Sequence, residues 1–452
     1  MVNSRDYDVV VNEGSVLIRD ELLHVNLGIT DGKISTISSN PLQGGQEINA
    51  SERIVVPGVV DPHMHVWYGH EFENFTNATE GAAKGGVTTI IDMPLDKPFP
   101  PYTPELVQRK IEAGESQSYV DFGLFGGVSL EGGISGVEKI LNTGIVGIKI
   151  FPKGVPREGF YKGLDAWEIL QVFKLLQMKN LTAAVHPANA DIDDKETKRL
   201  LAEGLIDPEF FDDSRPAISE LESTASTLIL AQKTGCRVNF CHMSFAEGVS
   251  LINDFKAKGV RIFAETCPHY LTLTRDDLKK DKRLRIHPPL RADEKDRLWQ
   301  LLKEGKIDTI GSDHAPLPKD ESKSIWEMFA GLGNTVEIMF PLMVSEGIYQ
   351  HDLSLSQIIR VMSENPARIY GLFPRKGRIG VGSDADLIIL QPGVDQRINA
   401  NDLSYLGKKW SPWDGWNVKF KISQVLLRGR PIVREGKVVG NPGDGRFVSA
   451  LC

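Results

Sequence analysis

Cysteine is scarce. The chain has four in 452 residues (Cys236, Cys241, Cys267 and Cys452) and no CxxC pair. That excludes a disulfide-stapled scaffold and a thiolate-only metal site. Positive charge is not in excess either: 52 Lys and Arg stand against 60 Asp and Glu, a formal charge of −8. A surface for nucleic acid or for an anionic membrane is therefore not expected. No apolar run approaches the ~18 residues of a membrane-spanning helix. Met1 to Asp6 shows no basic-then-apolar targeting pattern. The expectation is a cytoplasmic protein with neither nucleic-acid nor membrane partners. Low-complexity tracts are missing as well.

What is present is a globular composition, 41% hydrophobic and 25% charged, in a chain long enough for a large domain and a smaller one. Short strand-like runs fill both ends. Asp8 to Asn12, Val16 to Ile18, Val25 to Thr30 and Lys33 to Ile37 lie at one end. Ala385 to Gln391, Val418 to Leu427, Pro431 to Glu435 and Lys437 to Val439 lie at the other. Together they predict one β-sandwich built from residues 1–55 and 381–452. Between them, in residues 56–380, a β-branched run followed by an amphipathic stretch recurs eight times. The runs are Ile54 to Val60, Val87 to Met93, Val120 to Gly126, Ile145 to Phe151, Thr182 to His186, Arg237 to His242, Arg261 to Thr266 and Ile307 to Ser312. Thr103 followed by Pro104 reads as a helix N-cap and first turn. This α/β rhythm predicts a (β/α)8 TIM barrel, with a doubly wound sheet as the alternative.

Barrel enzymes place their chemistry at the C-terminal ends of the strands. Those ends carry His63 and His65, Lys149, His186, His242 and Asp313. His63 and His65, at i and i+2 on an extended chain, share one face. Any one of these residues alone is as readily structural as functional. Five strand ends carrying imidazole or an ionisable group in one layer point to a site for a borderline cation such as zinc. Lys149 is the anomaly, because a lysine in an apolar strand is costly unless paired or neutralised. As its carbamate it would be anionic and suited to bridge two ions.

Longer motifs share this layer: Pro57 to His65, Gly85 to Pro94, Gly147-Ile148-Lys149, Cys241 to Ser244, Glu265 to Tyr270, Gly311 to His314, Asn365 to Arg368 and Gly382 to Leu387. With them the chain resembles the cyclic-amide branch of the amidohydrolase superfamily, which holds hydantoinases, dihydropyrimidinases, allantoinases and dihydroorotases. The resemblance implies two divalent ions, zinc, with His63 and His65 on one and His186 and His242 on the other. It implies carboxylated Lys149 between them, and Asp313 as both metal ligand and catalytic acid–base. The implied reaction is ring opening of a cyclic amide by a metal-bridging hydroxide, in a homo-oligomer, a tetramer.

Substrate markers are mixed. Val66-Trp67-Tyr68 follows the two histidines where dihydroorotases carry an arginine. Gly154 stands where dihydropyrimidinases usually carry a tyrosine, with Phe160 and Tyr161 as possible substitutes. Asp92 to Leu95, Leu298-Trp299-Gln300 and Trp410 to Gly415 look most like allantoinases and L-selective hydantoinases, so allantoin or a hydantoin is the expected ring. Dihydroorotase, dihydropyrimidinase or cyclic-imidase activity and a non-catalytic scaffold stand as alternatives. Trp67, Phe151, His287 and Asn334 are the expected substrate contacts. His269 and His314 are further candidates near the site, and Phe99 and Tyr68 for an aromatic wall.

Overall fold

The computed structural model describes residues 7–66, 73–95, 100–152, 163–316, 319–405 and 409–450. Eight parallel strands, Val59–Met64, Val87–Asp92, Asp121–Gly126, Gly147–Ile150, Thr182–Val185, Arg237–Phe240, Ile262–Thr266 and Thr309–Ile310, pair in chain order. A bridge between Met64 and His314 brings the eighth strand back to the first. The side chain of Asp61 braces this seam: its Oδ1 accepts from the backbone N–H groups of His63 (3.1 Å) and Ser312 (3.0 Å). The expected TIM-type barrel is present.

Its strands are buried along their length because helices cover the sheet from outside, as parallel sheets require. Local signals start those helices where the sequence places them. Thr103 caps Pro104–Gln117 by accepting from Leu106 N at 3.3 Å. Asp165 and Glu168 form a reciprocal capping box on Ala166–Met178. Gly235, at φ 69°, ends Ala217–Thr234 in the left-handed conformation that glycine adopts without a Cβ penalty. Among the described residues no helix is long and apolar enough to cross a membrane.

The two chain ends meet in a nine-stranded, mostly antiparallel sheet. Its core includes Val11, Val16, Leu27, Ile29, Val55, Leu387, Ile389 and Leu426. The apolar run from Ile54 to Val60 is not one barrel strand. Ile54–Pro57 belongs to the outer sheet, paired with Tyr7–Ile18 and Leu387–Arg397, and Val59–Met64 belongs to the barrel. Gly58 is the whole joint. A Cβ there would stand 2.1 Å from Thr88 Oγ1, so only glycine fits. Deep in the chain, Lys376 Nζ sits among Asp121 (2.5 Å), Asp386 (2.6 Å) and Asp384 (3.1 Å), tying the third barrel strand to the outer sheet. The ammonium fills that carboxylate cluster and leaves no room for a metal ion.

Glu337, in the helix Thr335–Gln350, accepts from Ser404 N at 2.8 Å and faces Lys84 Nζ only at 4.0 Å. Burial pushes its carboxyl up to about 7. The folded chain thus binds this proton more tightly than the unfolded chain, and stability falls as pH rises from about 4.5 to about 7. Glu337→Gln should therefore raise the unfolding midpoint at pH 8, by the equivalent of ~3 kcal/mol at most, and leave it nearly unchanged at pH 4.5. Thermal melts at both pH values check this.

Candidate metal centre

Each expected ligand lies at the C-terminal end of its strand, and the fold brings them together. His63 Nε2 and His65 Nε2 point at the same atom, Asp313 Oδ1, from 3.3 and 3.5 Å. His186 Nδ1 lies 2.9 Å from His242 Nε2. The rings of His63 and His242 are 5.2 Å apart, so the two pairs adjoin. Lys149, 2% exposed, extends its Nζ to Cys241 Sγ at 3.2 Å. Two of these residues have left-handed backbones, His242 at φ 39° and Asp313 at φ 45°. Such strain in non-glycine residues persists only where the surroundings enforce it, commonly at functional sites.

The donor set fits a metal ion. Donors 2.0–2.2 Å from one ion in a tetrahedral array stand roughly 3.3–3.5 Å apart. The His63–Asp313 and His65–Asp313 separations match that spacing, and the three donors lie within 4.8 Å of one another. That spacing is too long for good hydrogen bonds, and His63 Nε2, His65 Nδ1 and His242 Nδ1 are buried without a hydrogen-bond partner. Buried polar atoms left so are uncommon unless something else satisfies them. Burial drives the His65 imidazole down to about 4 and the His242 imidazole well below its usual range, so both are neutral and able to bind a cation. Burial alone would raise Asp313, but the facing imidazoles, His63 foremost, hold it well below the usual carboxylate range. At His63 burial and Lys149 act downward, yet Glu265 and Asp313 outweigh them and lift the ring to about 10. The field at this point favours a positive charge.

Glu265 is the residue that sequence reasoning passed over. It ends the seventh strand, is fully buried, and accepts from His63 Nδ1 at 2.6 Å. Asn239 Nδ2 (2.9 Å) and His242 N (3.3 Å) complete its shell. A carboxylate on Nδ1 fixes the tautomer that leaves Nε2 free as a donor and strengthens it. The available signal was an acid inside the apolar run Ile262–Thr266, the same anomaly that singled out Lys149. Glu265→Gln should weaken metal binding by about 10- to 100-fold, read by competition with a chelator.

The expected substrate contacts are unevenly placed. His287 lines a pocket together with His186, Arg215 and Arg291, and its ring packs 5.5 Å from that of Phe211. Asn334, 3% exposed and at φ 67°, donates to Trp410 O at 3.2 Å. Phe151 packs its ring 5.7 Å from His186 and 5.5 Å from Lys149 Nζ, behind the ligands. His314 Nε2 donates to Glu73 Oε1 (2.7 Å) and so braces the loop after Asp313. Trp67, Tyr68, Phe99, Gly154, Phe160 and Tyr161 lie outside the described residues.

The model of the amidohydrolase family matches residues 54–432. The chain belongs to the amidohydrolase family. This amidohydrolase is 32% identical to an L-hydantoinase from Paenarthrobacter aurescens over 98% of each chain. It is 31% identical to an allantoinase from Bacillus licheniformis over 98% of this chain and all of that one. Among solved structures, an L-hydantoinase (dihydropyrimidinase) from Arthrobacter aurescens superposes with a TM-score of 0.93, at 32% identity, over 98% of this chain and 100% of that one. Amidohydrolases of this kind carry a binuclear metal centre, and the buried histidines and Asp313 form a group able to hold metal.

Proposed function

We propose that this amidohydrolase opens the ring of allantoin or of a 5-substituted hydantoin, hydrolysing one ring C–N bond to give an N-carbamoyl acid. Its relatives named L-hydantoinase and allantoinase support the ring class, and the chain is a metal-dependent hydrolase of cyclic amides. The observation that carries the reading is the convergence of His63, His65 and Asp313 beside the His186–His242 pair. In this proposal His63, His65 and Asp313 hold one ion and His186 and His242 the other, both zinc, matching imidazole and carboxylate donors. Lys149, once its amine had added to carbon dioxide and lost a proton, would supply carbamate oxygens to hold the ions. When bound, the two ions polarise the ring carbonyl and acidify a water.

The remaining work falls to the chain. Asp313, ionised at neutral pH, takes the proton of the attacking water and returns it to the departing ring nitrogen. Glu265 holds His63 in the tautomer and orientation its role needs. His287, Asn334, Trp67 and Phe151 are proposed to contact the ring. Exposed Trp167 and Met178 on one helix, beside exposed Ile218 and Ile229 on its neighbour, support burial against another copy of the chain, in keeping with the proposed homo-oligomer, a tetramer by the family resemblance.

A hydrolysis panel tests the reading: allantoin, both enantiomers of 5-substituted hydantoins, dihydrouracil, dihydroorotate and a simple cyclic imide. Turnover of allantoin or one hydantoin enantiomer is expected. Turnover of dihydroorotate alone would overturn the ring assignment.

A further inference from the structure

One buried imidazole has no role in the centre described above. His269, 0% exposed, sits in the short turn Pro268–Thr272 that follows the seventh strand. Neither of its ring nitrogens has a hydrogen-bond partner. The nearby hydroxyls are committed elsewhere: Tyr270 donates to Pro288 O at 2.6 Å, Thr266 to Met243 O at 2.9 Å and Thr272 to Pro268 O at 2.7 Å. An enclosed, doubly unpaired imidazole calls for an occupant.

Two other donors surround it. Cys267 Sγ, a ring nitrogen of His269 and a carboxylate oxygen of Asp313 all lie within 4.8 Å of one another. All three residues are buried. Sulfur, nitrogen and oxygen donors in one group suit a borderline-to-soft divalent cation, and the separations need only modest closure to reach tetrahedral spacing. The Asp121–Asp384–Asp386 group, by contrast, is already filled by Lys376.

We propose that Cys267, His269 and Asp313 form a third cation site, taking zinc or cadmium and sharing the Asp313 carboxylate with the His63–His65 pair. Binding forms a sulfur–metal bond and releases the thiol proton to solvent. Occupancy draws the Asp313 carboxylate toward His269, so excess metal inhibits hydrolysis. That last consequence rests on the acid–base role proposed for Asp313. The site itself does not.

The test titrates cadmium into protein already loaded with zinc, counting total metal per chain and following the thiolate-to-cadmium ultraviolet absorption. The parent should take one more equivalent than Cys267→Ser and show the absorption, which the variant lacks. His269→Gln, which keeps the thiol, should weaken that equivalent by more than ~10-fold. Added cadmium should inhibit the parent but not Cys267→Ser. Equal metal counts in parent and Cys267→Ser, or an absorption that persists in the variant, would overturn the site. If Cys267→Ser does not fold, unaltered affinity in His269→Gln overturns it. The difference between parent and variant reports only the extra ion, whereas failure of the binuclear reading would appear as a deficit common to both.

Discussion

Lys149→Ala should leave the purified protein with little bound metal and almost no hydrolytic activity, while its far-ultraviolet circular dichroism stays that of the parent. Lys149 adjoins the ligand set: its Nζ lies 3.2 Å from the Sγ of Cys241, the residue before His242. Alanine removes the atom that would carry the carbamate and leaves four imidazoles to share two ions with a single carboxylate. Losing the proposed carbamate would also remove the negative charge that would balance two ions against each other at close range. Metal content by elemental analysis and turnover of the preferred ring measure the effect together. A short carboxylic acid should restore part of the activity, because it supplies two oxygens in the space the side chain vacated. Full activity in Lys149→Ala with no added acid would sink the carbamate assignment.

Asp313→Asn should lower kcat by about 10²- to 10⁴-fold, the range in which a positioned acid–base group contributes. The amide keeps the size of the carboxylate, and one oxygen still faces His63 and His65, so the fold is retained. What disappears is the proton acceptor, together with the negative charge that those imidazoles face at 3.3 and 3.5 Å. The rate loss should therefore come with weaker binding at the first metal position, while the His186–His242 pair keeps its ion. Metal stoichiometry beside kcat separates the two effects. Unchanged kcat would remove Asp313 from the proton path.

The barrel and the convergence of its six candidate ligands were legible because each is a local event. A β-branched run ends in an imidazole, a carboxylate or an out-of-place lysine, and the barrel gathers five such endings into one layer. Residues whose importance depends on distant partners were harder to read. Glu265 meets His63 across 202 positions of sequence, and Asp61 reaches Ser312 across 251. No periodicity marks such pairs. The Gly58 joint was hidden for the opposite reason: apolar residues continue unbroken on both sides, so two strands of different sheets read as one. Pro57-Gly58 was the visible cue, since proline and glycine seldom sit together inside a single strand.

The outer sheet also bears on how the chain is made. Ile54–Pro57 needs Leu387–Leu390 as its neighbour, with Val56 opposite Ile388. During synthesis the first strands leave the ribosome long before their partners exist, and one edge of Ile54–Pro57 stays open until most of the chain has emerged. Loop closure over that separation is slow, and open edges invite pairing with other chains. The barrel can close around its ligands first, whereas the outer sheet joined to it through Gly58 is completed only when Leu387–Arg397 arrives. Truncating the chain before Leu387 should release an aggregation-prone edge one residue away from the strand that carries His63.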